Sequence, residues 1–203
     1  MDALETQRLM IRPFSMADLD AAHQVLDVDI EWSGPSFTRD QRRERLSFYA
    51  HLAEWHDSGR LYGFRAITLK ATQELIGLCG FHPDLWSPRW KTIFWPALFA
   101  EGAGQYDQAS LELGLGYGLA HAARGQGYAT EAVTALLDHV FGTLQINRVF
   151  SVTDQGNADS VKVMQHVGMR TARNPDEQTA YPGVVGLIEN PVNARKSQPD
   201  RPK

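Results

Sequence analysis

Residues 111–144 read LELGLGYGLAHAARGQGYATEAVTALLDHVFGTL, and two periodicities meet inside them. From Leu111 to Leu119 the apolar side chains alternate: Leu111, Leu113, Leu115, Tyr117, Leu119. That is the period of a strand with one buried face. The opposite face reads Glu112, Gly114, Gly116, Gly118. Three glycines on one face weaken a strand, so the pattern predicts a backbone that something else approaches closely. From Ala129 the apolar positions become Ala129, Ala132, Val133, Leu136, Leu137, Val140, Phe141 and Leu144, the stripe of a half-buried helix. Between strand and helix stands Arg124-Gly125-Gln126-Gly127-Tyr128-Ala129.

A glycine-rich turn feeding a helix presents backbone N–H groups and the positive end of the helix dipole, which suits an anion, phosphate above all. It equally suits a plain tight turn, and the turn alone leaves both readings open. A nucleotide P-loop is excluded, because G-x-x-x-x-G-K-S/T is absent. So is the dinucleotide fingerprint G-x-G-x-x-G, since Thr130 stands where its third glycine belongs.

In combination with motifs elsewhere, R-G-Q-G-Y-A-T-E-A resembles the coenzyme A loop of the GNAT family of N-acetyltransferases, within it the branch of ribosomal-protein alanine N-acetyltransferases. The family pattern Q/R-x-x-G-x-G/A falls on Ala122-Ala123-Arg124-Gly125-Gln126-Gly127 and departs from it at the first position. The stretch from Glu5 to Pro13 resembles the branch's opening, E-T-x-R-L-x-I/L-R-P. E-L-I-G-L-C-G-F, ending at Phe81, resembles its third strand, and N-A-D-S-V-K-V-M-Q-H-V-G-M from Asn157 its second coenzyme motif. The resemblance covers residues 4–190. It implies an α/β (α+β) GNAT fold: a mixed, mostly antiparallel sheet of about seven strands, splayed at the coenzyme site and flanked by helices. Residues 1–190 would form one domain and the polar, proline-bearing 191–203 a disordered tail.

Length and composition agree with one domain holding a real core. A net charge of −4 and a pI near 6.0 argue against a nucleic-acid surface. Cys79 is the single cysteine, which excludes an internal disulfide and suits a reducing compartment. No apolar run approaches membrane length, no zinc-type Cys/His spacing occurs and no signal peptide is legible. A cytoplasmic chain without a metal is the expectation.

Residues 4–14 read as one strand ended by Pro13, with Arg8 and Arg12 as surface charge. Ser15 and Asp18 resemble a capping box opening a helix to about Val28. Turn signals surround Gly34-Pro35, beside Trp32, in a region that borders the acceptor site in the family. A second helix runs from Thr38 to about Asp57, with Arg39, Arg42, Arg43 and Arg45 as a solvated face or, in the sharper reading, a local basic patch near an anionic acceptor. Residues 61–69 and 75–81 form a hairpin. Residues 82–108 hold three tryptophans, two phenylalanines and three prolines without clean period. So long a connection reads as a flap over the acceptor or a dimer contact, with His82 at its start as a structural residue, a base or an acceptor ligand. Residues 146–153 are a strand, Asn157 caps a helix to Val167 that Gly168 stops, and 169–173 with 184–188 close the sheet.

The chemistry implied by the resemblance is acetyl transfer from acetyl-CoA to a primary amine, of a protein N-terminus or a small molecule, by direct attack through a tetrahedral intermediate. The backbone N–H groups of Gly125, Gln126, Gly127, Tyr128 and Ala129 would grip the pyrophosphate, with Arg124 adding charge. An N–H among Tyr117, Gly118 and Leu119 would face the oxyanion. Asn157 would cap its helix and touch the pantetheine arm. Glu112 is the base suggested by the strand, or else a surface carboxylate. The family's acid tyrosine falls on Met164, which leaves Ser160 as the nearest hydroxyl. A non-catalytic acetyl-CoA-binding or interaction module is the alternative. Dimers are common in the family, so a homodimer is among the expected partners, alongside the amine acceptor.

Overall fold

The computed structural model describes residues 3–30, 36–55, 62–99, 108–176 and 182–194. In chain order the elements are β1 (Leu4–Glu5), β2 (Leu9–Arg12), α1 (Leu19–His23), α2 (Arg39–Trp55), β3 (Gly63–Leu69), β4 (Leu75–Trp86), α3 (Pro88–Leu98), β5 (Ser110–Leu119), α4 (Tyr128–Gly142), β6 (Arg148–Thr153), α5 (Ala158–His166), β7 (Arg170–Arg173), β8 (Val184–Glu189) and α6 (Pro191–Ala194). Eight strands, against about seven expected, hydrogen-bond in the order β1-β2-β3-β4-β5-β6-β8-β7. The sheet is mixed and mostly antiparallel, with β5 and β6 the parallel pair. Two compact units divide the chain: Met1–His82 with Gly116–Leu137, and Pro83–Leu115 with Asp138–Lys203.

In the first unit, the single strand expected over residues 4–14 is a hairpin. Leu4 pairs with Ile11 and Glu5 with Met10. Thr6 makes the turn: its N–H donates to the Leu9 carbonyl at 3.0 Å and its Oγ1 accepts from the Leu9 N–H at 2.9 Å. Threonine thus competes with the ladder for local backbone groups and folds the chain back. Past Pro13, the acidic half of the capping box forms, with the Ser15 N–H donating to Asp18 Oδ2 at 2.7 Å. Arg12 also grips both oxygens of Asp18, at 2.7 and 2.8 Å, so it is not mere surface charge. The helix expected to about Val28 runs to Asp29, but after α1 it widens into a π-helical turn, Gln24–Asp29, where the Ile30 N–H reaches back to the Val25 carbonyl. That widening turns Asp27 inward, where Arg42 of α2 meets it at 2.6 and 2.8 Å. Arg42 is therefore buried, a correction to the solvated face expected of its helix. Arg39 and Arg43 keep to that expectation, in exposed pairs with Asp20 and Asp40. Phe14, Leu19, Leu26, Leu46, Ala66 and Leu78 gather in the core between these helices and strands. Trp32 and the Ser58-Gly59 stop lie outside the described residues.

In the second unit, the stretch 82–108, expected without clean period, is regular as far as Leu98, the main correction to the sequence reading, and its residues 100–107 lie outside the described residues. β4 continues to Trp86, and α3 follows at once. Ser87 caps α3, accepting from the Trp90 N–H at 3.3 Å, and Pro88 occupies the first helical position where its missing N–H costs nothing. The aromatics are core rather than flap. Trp86 lies 4.9 Å from Trp95 and 4.7 Å from Phe150, and Trp95 stacks on Phe150 at 5.3 Å. Each such ring buries enough area to contribute about 3 kcal/mol. Gly114 of β5 pairs with Phe150 of β6, and β6, β8 and β7 complete the unit antiparallel. Gly168, at φ +87°, ends α5 as expected. Residues 191–194 form a helical turn rather than a loose tail, because the Asn190 Oδ1 accepts from the Val192 N–H at 3.0 Å. The rest of the expected tail lies outside the described residues.

Candidate coenzyme site

The turn between β5 and α4 has the geometry that its glycines require. Gly125 and Gly127 take φ of +73° and +79°, the left-handed region where other residues are strained. The first backbone bond of α4 runs from the Glu131 N–H to the Gly127 carbonyl at 3.0 Å. The N–H groups of Tyr128, Ala129 and Thr130 precede it, as the opening donors of any helix do. The loop's long side chains fold back from this end. Arg124 Nε donates to the Leu119 carbonyl at 3.0 Å, and Gln126 Nε2 to the Ala122 carbonyl at 2.9 Å. The backbone from Gly125 to Gly127 is exposed beside these two tethered side chains.

The opening hairpin holds this loop, a role that sequence reasoning missed. Glu131, in the first turn of α4, accepts at Oε1 from the Thr6 hydroxyl (2.6 Å) and the Arg8 N–H (2.9 Å), and at Oε2 from Arg8 Nε (2.7 Å). Arg8 Nη1 also donates to the Gln126 carbonyl at 2.9 Å, and its guanidinium lies 4.4 Å over the Tyr128 ring. Burial alone would raise the Glu131 carboxyl's pKa, but the bonds from Thr6 and Arg8 outweigh it and hold the group below the ordinary carboxylate range. The two stretches quoted from the chain's start and from its loop are therefore one contact. No local signal marks the contact, since Arg8 and Glu131 stand 123 residues apart.

Under the loop, β5 runs against β4 at glycines. A Cβ on Gly77 would collide with the Gly118 carbonyl oxygen, so only glycine allows that approach. A Cβ on Gly116 would sit 2.8 Å from Phe64 Cε1 and 3.8 Å from His82 Nε2. Tyr117 and Gly118 are half-buried and Leu119 is buried. On the glycine face, Gly116 is thus covered by two rings, Phe64 and His82. The structure brings Tyr117, Gly118, Leu119 and Arg124 to Ala129 together in the first unit.

Glu112, Asn157 and Ser160 belong to the second unit. Glu112 is buried, not a surface carboxylate. It takes Arg148 Nε and Nη2 at 2.9 and 2.6 Å and the Ser110 hydroxyl at 2.8 Å. Leu111, expected inside, is 67% exposed, because β5 is covered on both faces only from Glu112 onward. Asn157 caps α5, its Oδ1 accepting from the Ser160 N–H at 3.1 Å. Met164 is wholly buried, and its sulfur would lie 2.9 Å from a Cβ on Gly186.

Residues 8–170 match the family model described as the acetyltransferase (GNAT) domain. The N-acetyltransferase p20 of Bacillus licheniformis, which carries the label uncharacterized, is 26% identical over 180 residues, 84% of this chain and 83% of its own. A solved acetyltransferase from Agrobacterium tumefaciens C58 is 26% identical, with a TM-score of 0.63 over 93% of this chain and 95% of its own. RimL, a ribosomal L7/L12 alpha-N-protein acetyltransferase solved in complex with coenzyme A, has a TM-score of 0.62 over 93% and 98%, at 16% identity.

Proposed function

The chain belongs to the GNAT acetyltransferase family, and on that premise we propose that it moves an acetyl group from acetyl-CoA to a primary amine. The observation that carries this reading is the clamped loop, whose long side chains are folded back so that its N–H groups are presented at a helix start. The N–H groups of Gly125 to Ala129 bind the pyrophosphate, and Arg124, tied to Leu119, fixes the loop's path and adds charge. Acetyl-CoA supplies the thioester, whose carbonyl oxygen gains charge as the amine attacks. An N–H among Tyr117 to Leu119 stabilises that charge, and Asn157 steadies the pantetheine arm.

Two groups compete to take the proton from the amine. Glu112 is the first, although three protein donors already occupy its oxygens. His82 is the second, beside Phe64 and Gly116 on the glycine face. Glu112→Gln and His82→Gln separate them: the base's variant loses kcat with acetyl-CoA affinity intact, the other does not. The departing thiolate takes its proton from Ser160 or from water, since Met164 has none to give.

A non-catalytic coenzyme-binding role is the second reading, favoured by the burial of Met164. Acetyl-CoA binding without transfer to any amine would select it.

The test is thermal unfolding with acetyl-CoA, on wild type and Gln126→Glu. Gly125 is a poor position for such a test, because its φ of +73° strains any replacement. Gln126→Glu adds charge without that strain. Acetyl-CoA at about 100 times its dissociation constant should add about 2.7 kcal/mol to wild type and much less to the variant. No stabilisation of wild type, confirmed by calorimetry, would sink the proposal.

A further inference from the structure

A cavity of about 230 Å³ opens in the first unit among α2, the segment before it, and the strands β3 and β4. Its walls are aromatic, with Phe14, Phe37, Tyr49 and Phe64, and its polar lining comes chiefly from Asp27, Arg42 and Arg45. Phe64 is the wall it shares with the glycine face, since the same ring lies against Gly116 of β5. A molecule seated here is one ring's width from the strand where the proposed thioester lies.

The charges in this cavity are unequal in what they can offer. Asp27 is saturated: Oδ1 accepts from Arg42 Nη2 (2.6 Å) and the Phe37 N–H (3.1 Å), and Oδ2 from Arg42 Nε (2.8 Å), with His23 Nδ1 at 3.1 Å. A carboxylate has about four lone-pair directions, so none remains for an incoming ammonium. Arg42 spends its Nε and one terminal nitrogen on this pair. Arg45 differs. Its guanidinium lies 4.3 Å over the Phe37 ring, and among the described residues it has no carboxylate partner. A guanidinium stacked on a ring keeps its N–H edge turned outward, in the fork that matches a carboxylate. The lining is therefore chiefly apolar and net positive, its one carboxylate is already paired, and its remaining polar groups are the neutral hydroxyls of Ser36 and Tyr49. A polyamine is the wrong charge for it.

Resting on the transferase reading above, we infer that this cavity holds the body of the acceptor, and that the acceptor is a small amine whose apolar body carries a carboxylate bound by Arg45. The cavity lies below the range of about 300–1,000 Å³ usual for drug-sized ligands, which fits one amino-acid-sized molecule. An amine of the hydrophobic amino-acid class has all three parts: a nucleophile, a side chain for the aromatic walls and a carboxylate for Arg45.

The full chain, with and without coenzyme A, is titrated by calorimetry with L-phenylalanine, L-leucine and L-methionine, each against its own carboxamide. In parallel, the N-acetyl products made from acetyl-CoA are measured by mass spectrometry, with a peptide beginning in the same residue as a further acceptor. At least one acid should bind about tenfold or more tightly than its amide, as a hydrogen bond to a charged partner predicts. Arg45→Gln should bring that ratio to about one, and Arg45→Lys should restore part of it. The inference is overturned if no acid binds, if acid and amide bind alike, if Arg45→Gln leaves the preference in place, or if the peptide is acetylated and the acids are not. Failure of acetyl-CoA itself to bind is a different result: it removes the transferase reading, and with it the cavity's role as an acceptor site, whatever the cavity holds.

Discussion

At the scale of single residues, Arg8 joins more of the coenzyme site than any residue inside the loop. Its backbone and side chain meet Glu131, its Nη1 meets the Gln126 carbonyl, and its guanidinium covers Tyr128. Arg8 is itself 42% exposed, so its ion pair adds little to global stability. Its weight falls on the loop's shape. Arg8→Ala should cost about 1 kcal/mol in urea unfolding but weaken acetyl-CoA binding about tenfold, because the donors lose their fixed aim. Equal affinity in wild type and variant would show that the loop holds itself. None of this was legible around Arg8 alone. A charged residue on a short strand is by default solvated, and its partner lies 123 residues away. Arg42 misled for the same reason. A helix face rich in arginine reads as solvent-facing until a widened turn elsewhere supplies a buried aspartate.

At the scale of elements, strong periods were legible and their interruptions were not. α4, β8 and the capped helix α5 stand within a residue or two of their expected bounds, since stripe, cap and glycine stop all point one way. The opening strand became a hairpin because Thr6 competes for backbone bonds. Residues 88–98 do carry a buried stripe, Lys91, Phe94, Trp95 and Leu98, but its first member is a lysine and Pro96 stands inside it, so the sequence does not read as a helix there. The glycine face of β5 was legible as a site of close approach, but what approaches is partly the protein's own β4. Two glycines test that distinction. At Gly77 a Cβ meets the Gly118 carbonyl, which is backbone and cannot yield without moving β5. At Gly186 it meets the ends of Met164 and Met169, at 2.9 and 3.0 Å from their sulfurs, and a thioether can turn aside. Gly77→Ala should therefore destabilise by about 3 kcal/mol and weaken acetyl-CoA binding, whereas Gly186→Ala should cost about 1 kcal/mol or less. Chemical denaturation of the two variants decides it, and the reverse order would contradict the packing argument.

At the scale of the whole molecule, acid is the condition to which this chain should answer most clearly. Burial would raise the carboxyls of Asp18, Asp27 and Glu131, yet arginine partners and short hydrogen bonds hold all three below the ordinary range. All three belong to the first unit, at its capping turn, its aromatic cavity and the loop before α4. A carboxyl whose folded pKa is depressed stabilises the fold above its unfolded value, about 4, and loses that contribution as pH falls through the lower folded value. In that window each group can change stability by at most about 1.4 kcal/mol per pH unit. Urea unfolding should therefore give a plateau from pH 7 to about 5 and a steep fall toward pH 3. Asp18→Asn, Asp27→Asn and Glu131→Gln should each be less stable than wild type at neutral pH. Asp27→Asn should lose most, about 3 kcal/mol, because it strips a buried arginine of its counter-charge. Those deficits should shrink as pH falls below about 4, because the wild-type pairs lose their contribution on the way down to their own lower folded values. A wild-type curve flat to pH 3, or deficits that keep their size in acid, would mean that these pairs set geometry without setting stability. In that case the site would have to be held by its apolar walls alone.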